Sequence, residues 1–271
     1  MATNIRFRSF DGTVLEGTYV RGAPASEVVV ILVHGITSSR DELGLFSRLA
    51  SHLANKRVPS FRFDYRCHGK SKRPMEKMTL SGIVNDVESA AALGLARARA
   101  SRVHVVGMSF GGGLTAFWAA TTTMTVASVV MLAPVIDYED DVLGQHGLIA
   151  RGKLTEHAAN RLRKNDFLEI DGIRYGRALL NELRFISGVE GLRRLQCDSL
   201  ILHGDADSIV PYASSERFAK LNDRCRLVNI AGTDHGFGVG DDEDLSSAET
   251  KEKHREVYGI ISSFFENAAH V

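Results

Sequence analysis

Apolar residues recur along this chain with two alternating periods. Ile5 and Phe7 alternate with arginines, Asp11-Gly12 supplies a tight turn, and residues 14–20 return, which predicts a β-hairpin. Residues 28–33 form an unbroken apolar run rich in valine, the pattern of a strand buried on both faces. Phe46, Leu49, Ala50 and Leu53 then fall on one helix face, and residues 60–65 read as a shorter strand. Leu80, Ile83, Val84, Val87 and Ala91 mark a second helix, with Thr79 as its N-cap. Residues 102–107 and 126–133 are further strands, separated by a helix-like stretch over 112–120.

The register changes at about residue 139. Up to residue 196 no buried-strand pattern occurs, and the stretch is charge-rich with helices expected near 158–164 and 177–185. Strand-like runs resume at 200–202 and 227–230, and Val257, Ile260, Ile261, Phe264 and Phe265 space out an amphipathic final helix. Strands alternating with helices predict an α/β fold, a mostly parallel sheet covered on both faces. The expected division is a core of residues 1–138 and 197–271 with a helical cap or lid inserted at 139–196, too long for a plain connection.

Composition narrows the functional classes. A hydrophobic share of 44% is enough for one large core, and the formal net charge of zero provides no field for nucleic acid or anionic membrane. Mean hydropathy is near zero. No apolar run reaches membrane-spanning length and residues 1–9 lack the apolar segment of a signal peptide, so no stable membrane insertion is expected. Three scattered cysteines, Cys67, Cys197 and Cys225, fit neither a disulfide framework nor a zinc site; the expectation is a cytoplasmic protein without metal or organic cofactor.

The candidate chemistry sits where predicted strands end. Gly107-Met108-Ser109-Phe110-Gly111 joins a buried strand to a helix, the arrangement that exposes a serine nucleophile on a sharp turn. An acid and a base follow in the order Ser, Asp, His. The acid is Asp207 or its neighbour Asp205, in Gly204-Asp205-Ala206-Asp207, and the base is His235, in Asp234-His235-Gly236. His254 and His270 read as surface histidines, and His34 and His203 as braces of the site loops. An oxyanion hole needs preorganised backbone N–H groups; those of Phe110 and Ile36 are expected, with Thr37 adjacent. Tyr138 and Tyr175 could offer hydroxyls to a substrate, and Val142, Leu143, Leu148, Ile149 and Leu154 an apolar inner face of the cap.

Taken together, HGI at 34–36, DYRCHGKS at 64–71, GMSFGG at 107–112, HGDADSIVP at 203–211 and GTDHGF at 232–237 resemble an α/β-hydrolase of the capped esterase or lipase type. The cap is similar in size to those of cinnamoyl/feruloyl-esterase-like and monoacylglycerol-lipase-like members. The resemblance implies an eight-stranded sheet, Asp207 rather than Asp205 as the acid, and Ile36 as an oxyanion donor. A small-molecule acyl ester or thioester is the expected substrate. Cys67 departs from the family, which has glycine there. A thioesterase or acyltransferase would use the same groups, and a ligand-binding protein on the hydrolase scaffold is the reading from a different class.

Overall fold

The computed structural model describes residues 1–24 and 26–268; His270 lies outside the described residues. Strands β1 (Ala2–Arg8) and β2 (Val14–Val20) form the expected hairpin, Arg8 facing Val14 across the turn. β3 (Val28–Val33), α1 (Leu45–Asn55), β4 (Ser60–Asp64), α2 (Leu80–Ala98), β5 (Arg102–Met108), α3 (Phe110–Thr121) and β6 (Val126–Leu132) follow. The intervening segment holds the short pairs β7 (Ile149–Ala150) with β8 (Lys153–Leu154) and β9 (Phe167–Ile170) with β10 (Ile173–Gly176). It also contributes α4 (Glu156–Asn165), α5 (Arg177–Glu182) and α6 (Gly188–Arg194). β11 (Asp198–Gly204), α7 (Tyr212–Ala219), β12 (Cys225–Ile230) and α8 (Ala248–Ala268) complete the chain.

The main sheet has eight strands in the order β1-β2-β4-β3-β5-β6-β11-β12. β2 runs antiparallel to both β1 and β4, and the remaining pairs are parallel. The valine-rich pattern of β3 follows from burial on two sides. Val29, Ile31 and Val33 join α2 and α3 in one core, while Val30 and Leu32 join α1 and α8 in the other. Each such side chain stabilises the fold by about 1.5–3 kcal/mol. From β3 the chain moves outward to β4, then crosses to β5 on the other side, so the order reverses between β3 and β5. Open α/β sheets bind ligands beyond the carboxyl ends of the strands at such a reversal.

The segment after β6 is more varied than its sequence pattern predicts, because two antiparallel pairs accompany the helices. Each turns on two residues of positive φ, Arg151 and Gly152 in one, Asp171 and Gly172 in the other, as a two-residue hairpin turn requires. The last of its helices packs into the core: Gly188 lies against Gly113 and Gly191 against the backbone of Phe117, where a Cβ would collide. Among the described residues no helix is long and apolar enough to cross a membrane.

Candidate active site

The turn between β5 and α3 places Ser109 at φ 51 and ψ −120, a conformation that costs a non-glycine residue energy and therefore marks a constrained position. Its flanking glycines are sterically required. A Cβ on Gly111 would lie 2.5 Å from the carbonyl oxygens of Val33 and His34, and one on Gly107 would strike the carbonyl of Gly111. The Phe110 amide, first in α3, has no acceptor among the described residues, as expected of an orphan N–H at a helix start.

The loop after β3 is held by buried side chains. The Gly35 N–H donates to Glu42 Oε2 (2.7 Å) and the Thr37 N–H donates to His68 Nε2 (3.0 Å). Between them the Ile36 amide has no acceptor among the described residues. The Gly35 carbonyl accepts from the Tyr65 hydroxyl (3.0 Å) and from His34 Nδ1 (2.7 Å), and the Tyr65 N–H donates to His34 Nε2 (3.3 Å). These partners assign His34 the neutral Nδ1–H form, in keeping with burial, which drives its pKa well below the ordinary histidine value.

β11 and β12 supply the acid and the imidazole. His235 Nδ1 lies 2.7 Å from Asp207 Oδ2, and the Asp207 side chain is fully buried. The same oxygen accepts from His203 Nε2 (2.9 Å), while Oδ1 accepts the amides of Ile209 (2.8 Å) and Val210 (2.9 Å). Burial opposes charge on this carboxyl, but hydrogen bonds from His203, His235 and the Val210 amide outweigh it and hold the pKa well below the usual carboxylate range. Asp205 is spent elsewhere: it takes Asn229 Nδ2 (2.9 Å) and the Gly232 amide (2.7 Å), tying together the ends of β11 and β12.

Ser109 and His235 face one cavity of about 350 Å³, also lined by Ile36, Thr37 and Phe110. With Nδ1 committed to Asp207, His235 has Nε2 free for the cavity side. No hydrogen bond joins it to the serine among the described residues, a distance that unliganded sites commonly close on binding substrate. The segment over residues 139–196 forms the opposite wall with Asp141, Val142, Gln145, His146, Ile173 and Tyr175. Burial raises the pKa of Asp141, and it also raises that of the Tyr175 phenol, which therefore stays protonated.

A sequence model of the family described as alpha/beta hydrolase fold matches residues 28–188, more than half of the chain. The chain belongs to the α/β-hydrolase family. Several proteins are similar to it at low identity. The uncharacterized protein YfhR of Escherichia coli (strain K12) is 24% identical over 86% of this chain and 73% of its own. Est1E from Butyrivibrio proteoclasticus, solved with ferulic acid bound, superposes with a TM-score of 0.71 at 22% identity, covering 95% of this chain and 99% of the other. The Pyrococcus furiosus esterase PF2001 superposes at 0.66 with 18% identity over 97% and 91%.

Against the expectations from sequence, this α/β-hydrolase brings Ser109, His235, Ile36, Phe110, Thr37 and Tyr175 to one cavity, with Asp207 behind the histidine. Tyr138 is placed differently. Its hydroxyl donates to the Phe110 carbonyl (2.5 Å) and its ring packs on Phe110, so it supports the start of α3 and does not line the cavity. His254 is not a surface residue either. On the inner face of α8 with Val257, Tyr258 and Ile261, it donates from Nε2 to the Gly236 carbonyl (3.0 Å), next to His235, and accepts from Arg48 (2.8 Å). Burial and the neighbouring Arg48 lower its pKa to about 4, so it braces the loop as a neutral imidazole.

His203 grips the Asp207 carboxylate itself as well as the Val210 carbonyl, more than the backbone bracing expected of it. Cys67 stands at φ 69, which explains why glycine suits that position in the family. Burial pushes its thiol up to about 11, which removes it as a nucleophile at neutral pH. Glu42, Asp141, Gln145 and His146 carry no motif and were not legible as site residues; Asp141 and Gln145 come with a short π-helical segment over Asp140–Gly144 that the sequence does not announce.

Proposed function

We propose that the chain is a serine hydrolase of carboxylic esters. The observation that carries this reading is the Asp207–His235 pair beside one cavity with a strained-turn serine and two amides that have no acceptor among the described residues. Ser109 Oγ attacks the ester carbonyl carbon while its proton passes to His235 Nε2. Asp207 fixes the Nδ1–H form and stabilises the imidazolium. The carbonyl electrons move onto the oxygen, which the Ile36 and Phe110 amides receive. Collapse of this intermediate expels the alcohol, protonated by His235, and leaves the acyl-enzyme. Water, deprotonated by His235, then releases the acid and regenerates Ser109. No metal or organic cofactor enters this sequence.

Residues 139–196 act in this proposal as a cap that selects the acyl group. Val142, Ile170 and Ile173 suit an apolar or aromatic chain, and Asp141, Gln145 and Tyr175 can pair with a hydroxyl at its far end. A ferulic acid molecule bound to Est1E, which shares this fold, agrees with a hydroxylated aromatic acyl group. The carboxylates of Asp141 and Asp171 oppose polyanionic carriers, which favours esters over thioesters of phosphorylated cofactors.

The test is hydrolysis of p-nitrophenyl esters from acetate to long chains, beside methyl ferulate and acyl-thioesters of a phosphorylated carrier. Esters are expected to exceed the thioesters in kcat/KM. Tyr175→Phe is expected to lower kcat/KM for methyl ferulate about 5- to 20-fold, the loss of one buried hydrogen bond, and to leave p-nitrophenyl acetate within about 2-fold. Faster thioester turnover would move the assignment to a thioesterase. Tight binding of esters without turnover would move it to a binding protein.

A further inference from the structure

The Ile36 amide is held through its neighbours. A trans peptide points its C=O and N–H in opposite directions. The Gly35 carbonyl and the Ile36 N–H belong to one such unit, so whatever draws the carbonyl one way aims the amide the other. Tyr65 does this together with His34 Nδ1 (2.7 Å): its side chain is fully buried, stacked on His34 at 3.9 Å, and its hydroxyl donates to the Gly35 oxygen (3.0 Å). Glu42 fixes the preceding peptide unit by accepting the Gly35 N–H.

The chain accepts strain to bring Glu42 there. Glu42, Leu43 and Gly44 have φ of 46, 49 and 89, three successive left-handed residues, two of which carry side chains. Leu43 is 62% exposed, so the strain is not offset by burying it. What the turn achieves is an inward carboxylate. A Cβ built on Gly35 would lie 3.2 Å from Ser109 Cβ and 3.7 Å from Glu42 Oε1, so nucleophile, glycine and carboxylate converge on one spot. Strain concentrated beside a reacting group is a recognised means of preorganisation.

We propose that the Tyr65 hydroxyl and the Glu42 carboxylate are positioning groups of the oxyanion hole, which act by aiming the Ile36 amide at the developing oxyanion. The inference rests on the serine-hydrolase reading above. Neither group touches substrate. Both act on the tetrahedral state and leave ground-state binding alone, because the planar ester makes weaker demands on the amide direction than the oxyanion does.

The experiment compares wild type with Tyr65→Phe, Glu42→Ala and Glu42→Gln. It records kcat and KM for a p-nitrophenyl ester, and affinity for an alkylboronic acid, which forms a tetrahedral adduct on serine, beside affinity for the planar product acid. Tyr65→Phe and Glu42→Ala are expected to lower kcat about 10- to 100-fold, below or near the cost of losing an oxyanion donor outright. KM and product affinity should stay within about 2-fold, and boronate affinity should fall in parallel with kcat. Glu42→Gln keeps an acceptor for the Gly35 N–H and is expected to recover most of the loss.

Unchanged kcat and boronate affinity in folded Tyr65→Phe and Glu42→Ala overturn the proposal while the serine-hydrolase reading stands. So does an equal loss of boronate and product affinity, which indicates a general structural role. Should Glu42→Ala fail to fold, Tyr65→Phe alone decides. A wild type with neither turnover nor boronate binding overturns both the proposal and the reading beneath it, and is thereby distinguished from the first outcome.

Discussion

Ser109→Ala is expected to abolish ester hydrolysis, with kcat down about 10⁴- to 10⁶-fold and the fold retained. The loss is large because the oxygen that attacks the carbonyl disappears, and no other hydroxyl of the cavity stands on the strained turn. The fold should survive for two reasons. Ser109 Oγ makes no hydrogen bond among the described residues, and alanine meets the same φ of 51 with no greater crowding than serine does. Some acceleration over water should remain, because the Ile36 and Phe110 amides still polarise a bound carbonyl. Steady-state kinetics with a thermal melt check this. A variant that keeps a tenth or more of wild-type kcat would remove Ser109 from the role proposed for it.

Asp207→Asn should cost about 10⁴-fold in kcat, whereas Asp205→Asn should stay within about 3-fold. The asymmetry follows from the partners of each carboxylate. The amides of Ile209 and Val210 both donate to Oδ1, so the asparagine must keep its carbonyl oxygen there and turn its NH₂ toward His203 and His235. That sets a donor against two donors. His235 must then accept at Nδ1 and carry its proton on Nε2, where it can no longer take the proton of Ser109.

Stability falls as well, by about 1.5–3 kcal/mol for the charged hydrogen bonds lost. The pH dependence has a definite sign. The Asp207 pKa is depressed on folding, so its contribution is complete above the unfolded carboxyl value of about 3.9 and is lost as pH falls through the lower folded value. The gap in stability between wild type and Asp207→Asn should therefore be constant near neutrality and close only in strong acid. Asp205→Asn keeps one oxygen for the Gly232 amide, and the exposed Asn229 side chain can turn its own amide oxygen to the new NH₂, so little is lost there. Equal losses in the two variants would contradict the assignment.

What could be read in advance was what short-range chemistry dictates. β3 was legible because both its faces are buried, and the turn at Ser109 because only glycine fits beside it. The hairpin of β9 and β10 was signalled by Asp171-Gly172, yet it was obscured by the charged residues around it, which read as helix surface. His254 was misplaced because Lys251, Lys253 and Arg255 surround it in sequence. Its spacing from Val257, Tyr258 and Ile261 would have put it on the inner face of α8. Tyr138 was offered as a substrate contact only because its hydroxyl could serve one. Its actual partner, the Phe110 carbonyl, is 28 residues away in sequence and becomes visible only in the fold. Glu42 is the extreme case, since its position depends on a left-handed run in which Glu42 and Leu43, unlike Gly44, have no preference for that conformation.

Covalent labelling shows whether Ser109 is a nucleophile activated by His235 and Asp207. Folded protein is incubated with a fluorophosphonate and digested, and the modified residue is located by peptide mass spectrometry while ester hydrolysis is followed in parallel. One phosphonylated residue, Ser109, is expected, with activity lost in proportion to labelling and little labelling in His235→Ala. A folded wild type in which Ser109 stays unmodified, or one in which activity disappears through labelling at another residue, would contradict that role.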